Sequence, residues 1–108
     1  MGRHSMGEFE HLVMLAVLRL GPTAYGATII EEIEKRTGRD VSQAAAYLTL
    51  KRLEKKGWLR GRQEEGDEAR GYRERRCFEI TEEGLERLER SREELASMWE
   101  GLAPGLGR

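Results

Sequence analysis

Residues 6–20 place apolar side chains on nearly every side of a helix. Phe9, Leu12, Val13, Ala16, Val17 and Leu20 follow one helical stripe, while Met14, Leu15 and Leu18 fill the other sides. Such a helix needs cover on more than one face. A chain of 108 residues is sized for one modest domain and can hardly supply that cover alone, so a partner subunit is expected. The longest apolar run, residues 12–18, has seven residues, against about 20 for a membrane span. It follows the acidic Gly7-Glu8-Phe9-Glu10 rather than a basic leader. A cytoplasmic location without membrane association is expected, with residues 1–5 read as a loose tail.

Punctuation along the chain divides the rest. Gly21-Pro22 stops the first helix, and Thr23 is placed to cap a second over residues 23–36, with Ile29, Ile30 and Ile33 inward and Gly38 as its stop. Ser42 is a good cap for a third helix through residue 56, whose inward stripe is Ala46, Leu50 and Leu53. Gln43, Tyr47, Lys51 and Glu54 share its outer face. Residues 58–63 and 75–80 read as a two-stranded hairpin with a long projecting loop. Thr81 caps a last helix that starts with Glu82 and Glu83, the favourable sign for a helix N-terminus, and ends near residues 101–104. Its residues Leu85, Leu88, Arg92, Leu95, Trp99 and Leu102 step by three and four alternately, a coiled-coil seam interrupted at Arg92. That seam calls for another helix, either of the same domain or of a second copy.

The charge is segregated. The whole chain carries −1, yet residues 35–76 hold 13 Lys and Arg against 7 Asp and Glu, net +6, and the remainder is net −7. A basic module carried between acidic helices provides a local field that meets phosphates. Catalysis is not expected, because no nucleophile stands with a base and no phosphate-cradling glycine loop is visible. His4 and His11 are the only histidines and Cys77 the only cysteine, which leaves no metal-ligand set, no cofactor and no internal disulfide.

Three helices followed by a hairpin with a long basic loop is the order of a winged helix-turn-helix, in which the third helix enters the major groove and the wing meets the backbone. The expected fold is therefore mainly α with a small β-hairpin, a winged helix over residues 6–80, a dimerisation helix over 81–103 and a tail over 104–108. The ordered set Leu15 to Leu20, Gly21-Pro22, Tyr25-Gly26, Ile29, Ile33, Ser42, Tyr47, Leu50-Lys51-Arg52-Leu53-Glu54, Gly57-Trp58-Leu59 and Phe78-Glu79-Ile80-Thr81-Glu82-Glu83-Gly84 resembles the PadR family of bacterial transcriptional regulators. The resemblance covers about residues 10–88. It implies a homodimeric repressor of double-stranded DNA, often autoregulatory or acting on a neighbouring efflux or detoxification gene, with the last helix making the dimer.

Family members commonly begin the reading helix with Ser-Pro-Gly-Thr-Leu-Tyr, where this chain has Ser42-Gln43-Ala44-Ala45-Ala46-Tyr47. The missing Thr hydroxyl leaves Ser42, Gln43, Tyr47, Thr49 and Lys51 as expected DNA contacts, joined by Arg70, Arg73 and Arg75 of the wing. Glu74 stands where the family's wing often has Pro. Leu12, Leu15, Leu85, Leu88, Leu95, Trp99 and Leu102 are the expected dimer residues. Some short members line a pore at the dimer interface with a tryptophan from each subunit, which implies Trp99, with Glu100 beside it, as a site for a planar aromatic or cationic effector. Each assignment has a plainer counterpart. Tyr47 can lie against the first turn of its helix, Lys51, Lys55 and Lys56 can complement the helix dipole, and Arg70, Arg73 and Arg75 can protect a hairpin edge. Trp99 can be a packing anchor, His11 a surface or interface residue, and Cys77 a half-buried strand residue. A winged-helix protein-interaction module without DNA affinity is the alternative function.

Overall fold

The computed structural model describes residues 5–66, 69, 71 and 75–102. Its elements run α1 (Glu8–Leu20), a 3₁₀ turn (Gly21–Thr23), α2 (Gly26–Thr37), α3 (Gln43–Lys55), β1 (Leu59–Glu64), β2 (Arg75–Ile80) and α4 (Glu82–Trp99). Helix α1 starts two residues later than its apolar pattern suggests, because the Glu10 carboxylate turns back to accept the Gly7 N–H at 2.9 Å. Helix α2 starts later as well, and Thr23 is not its cap. The Thr23 hydroxyl donates instead to the Leu20 carbonyl at 2.7 Å, closing α1. Tyr25 holds the cap position, its N–H donating to the Thr28 hydroxyl at 2.9 Å. Gly38, at φ +75°, ends α2 in the left-handed conformation that glycine adopts without strain.

The body is a three-helix cluster closed by the hairpin. Val13, Met14, Ala16 and Val17 of α1, Ile29 and Ile33 of α2, and Leu50 and Leu53 of α3 meet Trp58, Leu59, Phe78 and Leu88 in one core. Strands β1 and β2 pair antiparallel from Leu59↔Ile80 to Glu64↔Arg75. One face of the hairpin therefore carries Leu59, Gly61, Phe78 and Ile80 toward the helices. The other carries Arg60, Arg62, Glu64, Arg75 and Glu79, a ladder of both signs. Trp58 precedes the strand and is buried. A short pairing the sequence does not advertise adds Tyr25 beside Cys77, with the Phe78 N–H donating to the Ala24 carbonyl at 2.9 Å. Cys77 is buried rather than half-buried.

Ser42 and Thr81 cap α3 and α4 as expected, their hydroxyls accepting from the Ala45 and Gly84 amides at 3.2 and 3.0 Å. Helix α4 ends at Trp99 rather than at residues 101–104. Its first turn sits so close to the body that a Cβ on Gly84 would overlap the Trp58 carbonyl oxygen. Beyond Ser91 every residue of α4 is exposed, and the molecule is elongated, 56 × 32 × 22 Å. The coiled-coil stripe is split by this arrangement. Leu88 belongs to the protomer's own core, only 4% exposed, whereas Leu95 and Trp99 are 56% and 67% exposed. Among the described residues no helix is long and apolar enough to cross a membrane.

Replacement of Gly84 by Ala is expected to cost about 1–3 kcal/mol, the range for overpacking against atoms that cannot move aside. The clash is with backbone at the α4 entrance, so urea unfolding should show a lower midpoint with an unchanged slope.

Candidate nucleic-acid interface

The surface opposite the core stripe of α3 is built from the N-terminus of that helix and the flank of the hairpin. Ser42, Gln43, Tyr47 and Lys51 are exposed on it. Thr49, expected among the contacts, is 5% exposed and lies with Ala46, Leu50 and Leu53 on the inward side. The 3.6-residue period puts it there, since 46, 49, 50 and 53 form one stripe; Thr49 is not available to DNA. Three apolar residues not singled out from the sequence are exposed on α3 as well: Ala44, Ala45 and Leu48, the last 61% exposed. Their only signal was the absence of a polar group at outward positions.

Tyr47 does not lie along its own helix. Its ring covers the start of α2, so closely that a Cβ on Gly26 would overlap the phenol. A recess of about 420 Å³ opens there between Tyr25, Tyr47, Gln63, Arg75, Arg76 and Phe78. The Arg75 guanidinium stacks on the Tyr25 ring, 3.8 Å from its centre, and the Tyr25 hydroxyl donates to Glu64 at 2.8 Å. That hydrogen bond holds the Glu64 carboxyl below its ordinary range and raises the Tyr25 phenol. Arg75 is thus placed at the wing base by an aromatic face and, at 3.8 Å, by Glu64.

Arg76 has a different assignment. It grips Glu54 of α3 with two guanidinium nitrogens at 2.7 and 3.2 Å, a charge-assisted bidentate pair. Glu54 also accepts the Gly61 N–H at 3.2 Å. The hydrogen bond from Arg76 is the main reason that the Glu54 carboxyl sits below its ordinary range. A Cβ on Gly61 would fall 2.5 Å from Arg76 Nε and 2.6 Å from Glu54 Oε2, so a larger residue there would displace this pair. Glu54 therefore points to the wing rather than to the outer face. Lys56 likewise turns away from solvent, pairing with Glu10 at 3.0 Å and covering the Trp58 ring, whereas Lys51 and Lys55 remain exposed. Arg70 and Arg73, and with them Glu74, lie outside the described residues.

The second candidate surface is apolar. Leu15, Leu18, Leu85, Leu95, Met98, Trp99 and Leu102 are large exposed hydrophobics. Leu12 is half-buried and lines a groove of about 440 Å³ with Met6, His11, Leu95 and Met98 between α1 and α4. His11 Nδ1 is 2.8 Å from the Ser91 hydroxyl, and burial lowers its pKa. Glu100 caps the C-terminus of α4 and is exposed beside Trp99. Among the described residues no cluster of three His, Cys, Asp or Glu side chains could hold a metal ion.

A family model described as the transcriptional regulator PadR-like family matches residues 14–90. The fold is similar to that of a PadR-like transcriptional regulator from Bacillus cereus strain ATCC 14579, with a TM-score of 0.69 and 21% identity over 83% of this chain and 82% of that one. It is similar also to a PadR family regulator from Eggerthella lenta DSM 2243, at 0.68 and 26% identity over 87% and 81% of the two chains. A transcriptional regulator from Clostridium thermocellum gives 0.69 and 23% over 83% and 84%. A search of curated proteins finds no match.

The pH dependence of the wing clamp follows from its sign. A carboxyl held below its unfolded pKa stabilises the fold fully above that unfolded value, and the contribution is lost as pH falls through the folded one. Arg76→Ala should therefore be less stable than the parent near neutrality, and the gap should close as acid protonates Glu54. Urea unfolding of both proteins between about pH 3 and pH 7 measures it; a gap constant with pH would place the clamp's contribution elsewhere.

Proposed function

Because the chain belongs to the PadR-like family of transcriptional regulators, a DNA-binding winged-helix family, we propose that it is a homodimeric repressor of a pseudo-palindromic operator. The observation that carries this reading is the exposed outer face of α3 lying beside a basic wing base. In the proposed complex Ser42 and Gln43 lead the N-terminal half of α3 into the major groove, Tyr47 contacts DNA at its edge, and Lys51 meets phosphates together with Arg70, Arg73 and Arg75. Residues 6–80 serve as the reading unit and α4, Glu82–Trp99, as the dimer helix. Leu12, Leu15, Leu85, Leu95, Trp99 and Leu102 make the contact between copies, since large apolar side chains left exposed, as all of these but the half-buried Leu12 are, mark an interaction surface. Leu88, already buried, has no part in it. A two-fold dimer sets the half-sites about 10 bp apart or a multiple of that. An effector, planar and aromatic or cationic, is proposed to bind at paired Trp99 side chains near Glu100. It acts by preferring one separation of the reading helices over another.

Mobility shifts on the DNA upstream of the protein's own gene, repeated across salt concentrations, test the reading. Arg73→Ala and Arg75→Ala should weaken binding to all sequences alike and lower the salt slope by about 0.9 for each phosphate no longer neutralised, whereas Gln43→Ala should change which bases are preferred. Unchanged affinity and slope in both arginine variants would remove the wing from the interface. Salt-independent retention, or none at all, would favour a protein-interaction module.

Leu95→Asp should convert a dimer to a monomer in light scattering, because a carboxylate in an apolar seam is left without a partner. A parent protein that is monomeric at micromolar concentration would defeat the proposal at its root. Fluorescence of Trp99 should be quenched by planar cationic dyes and the response abolished in Trp99→Phe; Trp58, 1% exposed, is shielded from the dye.

A further inference from the structure

Building on the DNA-binding reading above, we infer that α3 selects its operator by packing Ala44, Ala45 and Leu48 against the 5-methyl groups of thymine. The outermost ridge of α3 is Ala44, Leu48, Lys51 and Lys55, directly opposite the core stripe of Ala46, Thr49, Leu50 and Leu53. Its first half is apolar and its second half basic. In a reading helix the N-terminal residues approach base edges, so the apolar half faces the groove floor and the cations face the phosphates flanking it. Two adjacent alanines let the helix backbone settle close to the bases. Leu48, 61% exposed, projects one turn further on. Tyr47, its neighbour, is drawn aside over Gly26.

The major-groove edges of the four base pairs offer hydrogen-bonding groups at every position, and the thymine methyl is their one apolar feature. An exposed leucine beside two alanines has nothing else on those edges to desolvate against. The first turn of α3 holds no acidic residue, so it has no carboxylate to accept from cytosine amino groups. The one acid further along, Glu54, is engaged by Arg76. A protein partner covering Leu48 would have to meet Lys51, Arg52 and Lys55 as well, all exposed around it; a polyanion meets them with its phosphates. Gln43, at the helix start, then supplies the polar contact beside the methyl-reading patch.

The test isolates the methyl group. Duplexes bound by the full chain are enriched from a random library, and the enriched site is remade with uracil in place of thymine at one position at a time. Uracil keeps every hydrogen-bonding group of thymine and removes the methyl alone. Affinity is expected to fall about fourfold at one or two positions of each half-site, the ratio given by about 0.8 kcal/mol for a buried methyl-sized group. Leu48→Ala should bind the thymine duplex more weakly and show no uracil penalty at the position Leu48 covers. Equal affinity for thymine and uracil at every position, or the same penalties in Leu48→Ala as in the parent, overturns the inference while leaving DNA binding intact. Failure to enrich any duplex, with no salt-dependent binding, overturns the DNA-binding reading together with it.

Discussion

Burial of Trp58 fixes the geometry on which the other elements depend. The indole is 1% exposed at the corner where α3 ends, β1 begins and α4 starts. Gly57, at φ +82°, turns the chain into this corner, and the Trp58 N–H donates to the Leu53 carbonyl at 3.0 Å to close α3. The Trp58 carbonyl accepts the Thr81 N–H at 3.1 Å, which brings the end of β2 and the start of α4 to the same residue. The Lys56 ammonium and the Arg87 guanidinium lie 4.6 and 5.9 Å from the ring centre in cation–π contact. Helix α3, the hairpin and α4 thus share one fixed reference.

The charge excess of the middle segment is less available than its count suggests. Arg36 pairs with Glu32, Arg39 with Glu8, Lys56 with Glu10 and Arg76 with Glu54. Arg60 and Arg62 approach Glu79. Most of these are exposed pairs that contribute little to stability, but each lowers the field at its own position. The exposed Lys51, Arg52 and Lys55 of α3 stand outside the pairs named above, a distribution that composition alone cannot reveal.

Periodicity and punctuation in the sequence made most of the fold legible. Ile29 and Ile33 of α2, the inward stripe of α3, the glycine stop at Gly38 and the caps Ser42 and Thr81 are short-range features, so the residues themselves specify them; Ile30, expected inward as well, is half-buried and outside the core. The cap of α2 was missed because two hydroxyls, Thr23 and Thr28, were in reach and the 3₁₀ turn gives the nearer one to α1. At the site, exposed positions such as Gln43, Tyr47 and Lys51 were legible from helical phase. Thr49 was misplaced because its hydroxyl suggested a contact while its phase placed it inward. Leu88 was read as a seam residue because a stripe of threes and fours cannot tell whether the helix it meets belongs to its own body. The Tyr25, Arg75 and Glu64 cluster and the Glu54 to Arg76 clamp join residues 11 to 50 positions apart, and no local pattern encodes such pairings.

The Glu54 to Arg76 clamp also bears on how costly recognition is. Hairpins are ordinarily the more mobile part of a small domain, and ordering one on a ligand consumes several rotamer-rich side chains' worth of conformational entropy. Here β2 is fastened to α3 by two charge-assisted hydrogen bonds, and the backbone of β1 joins the same carboxylate through Gly61. That disorder is given up when the chain folds, so a partner that touches both elements finds the base of the hairpin already set against α3.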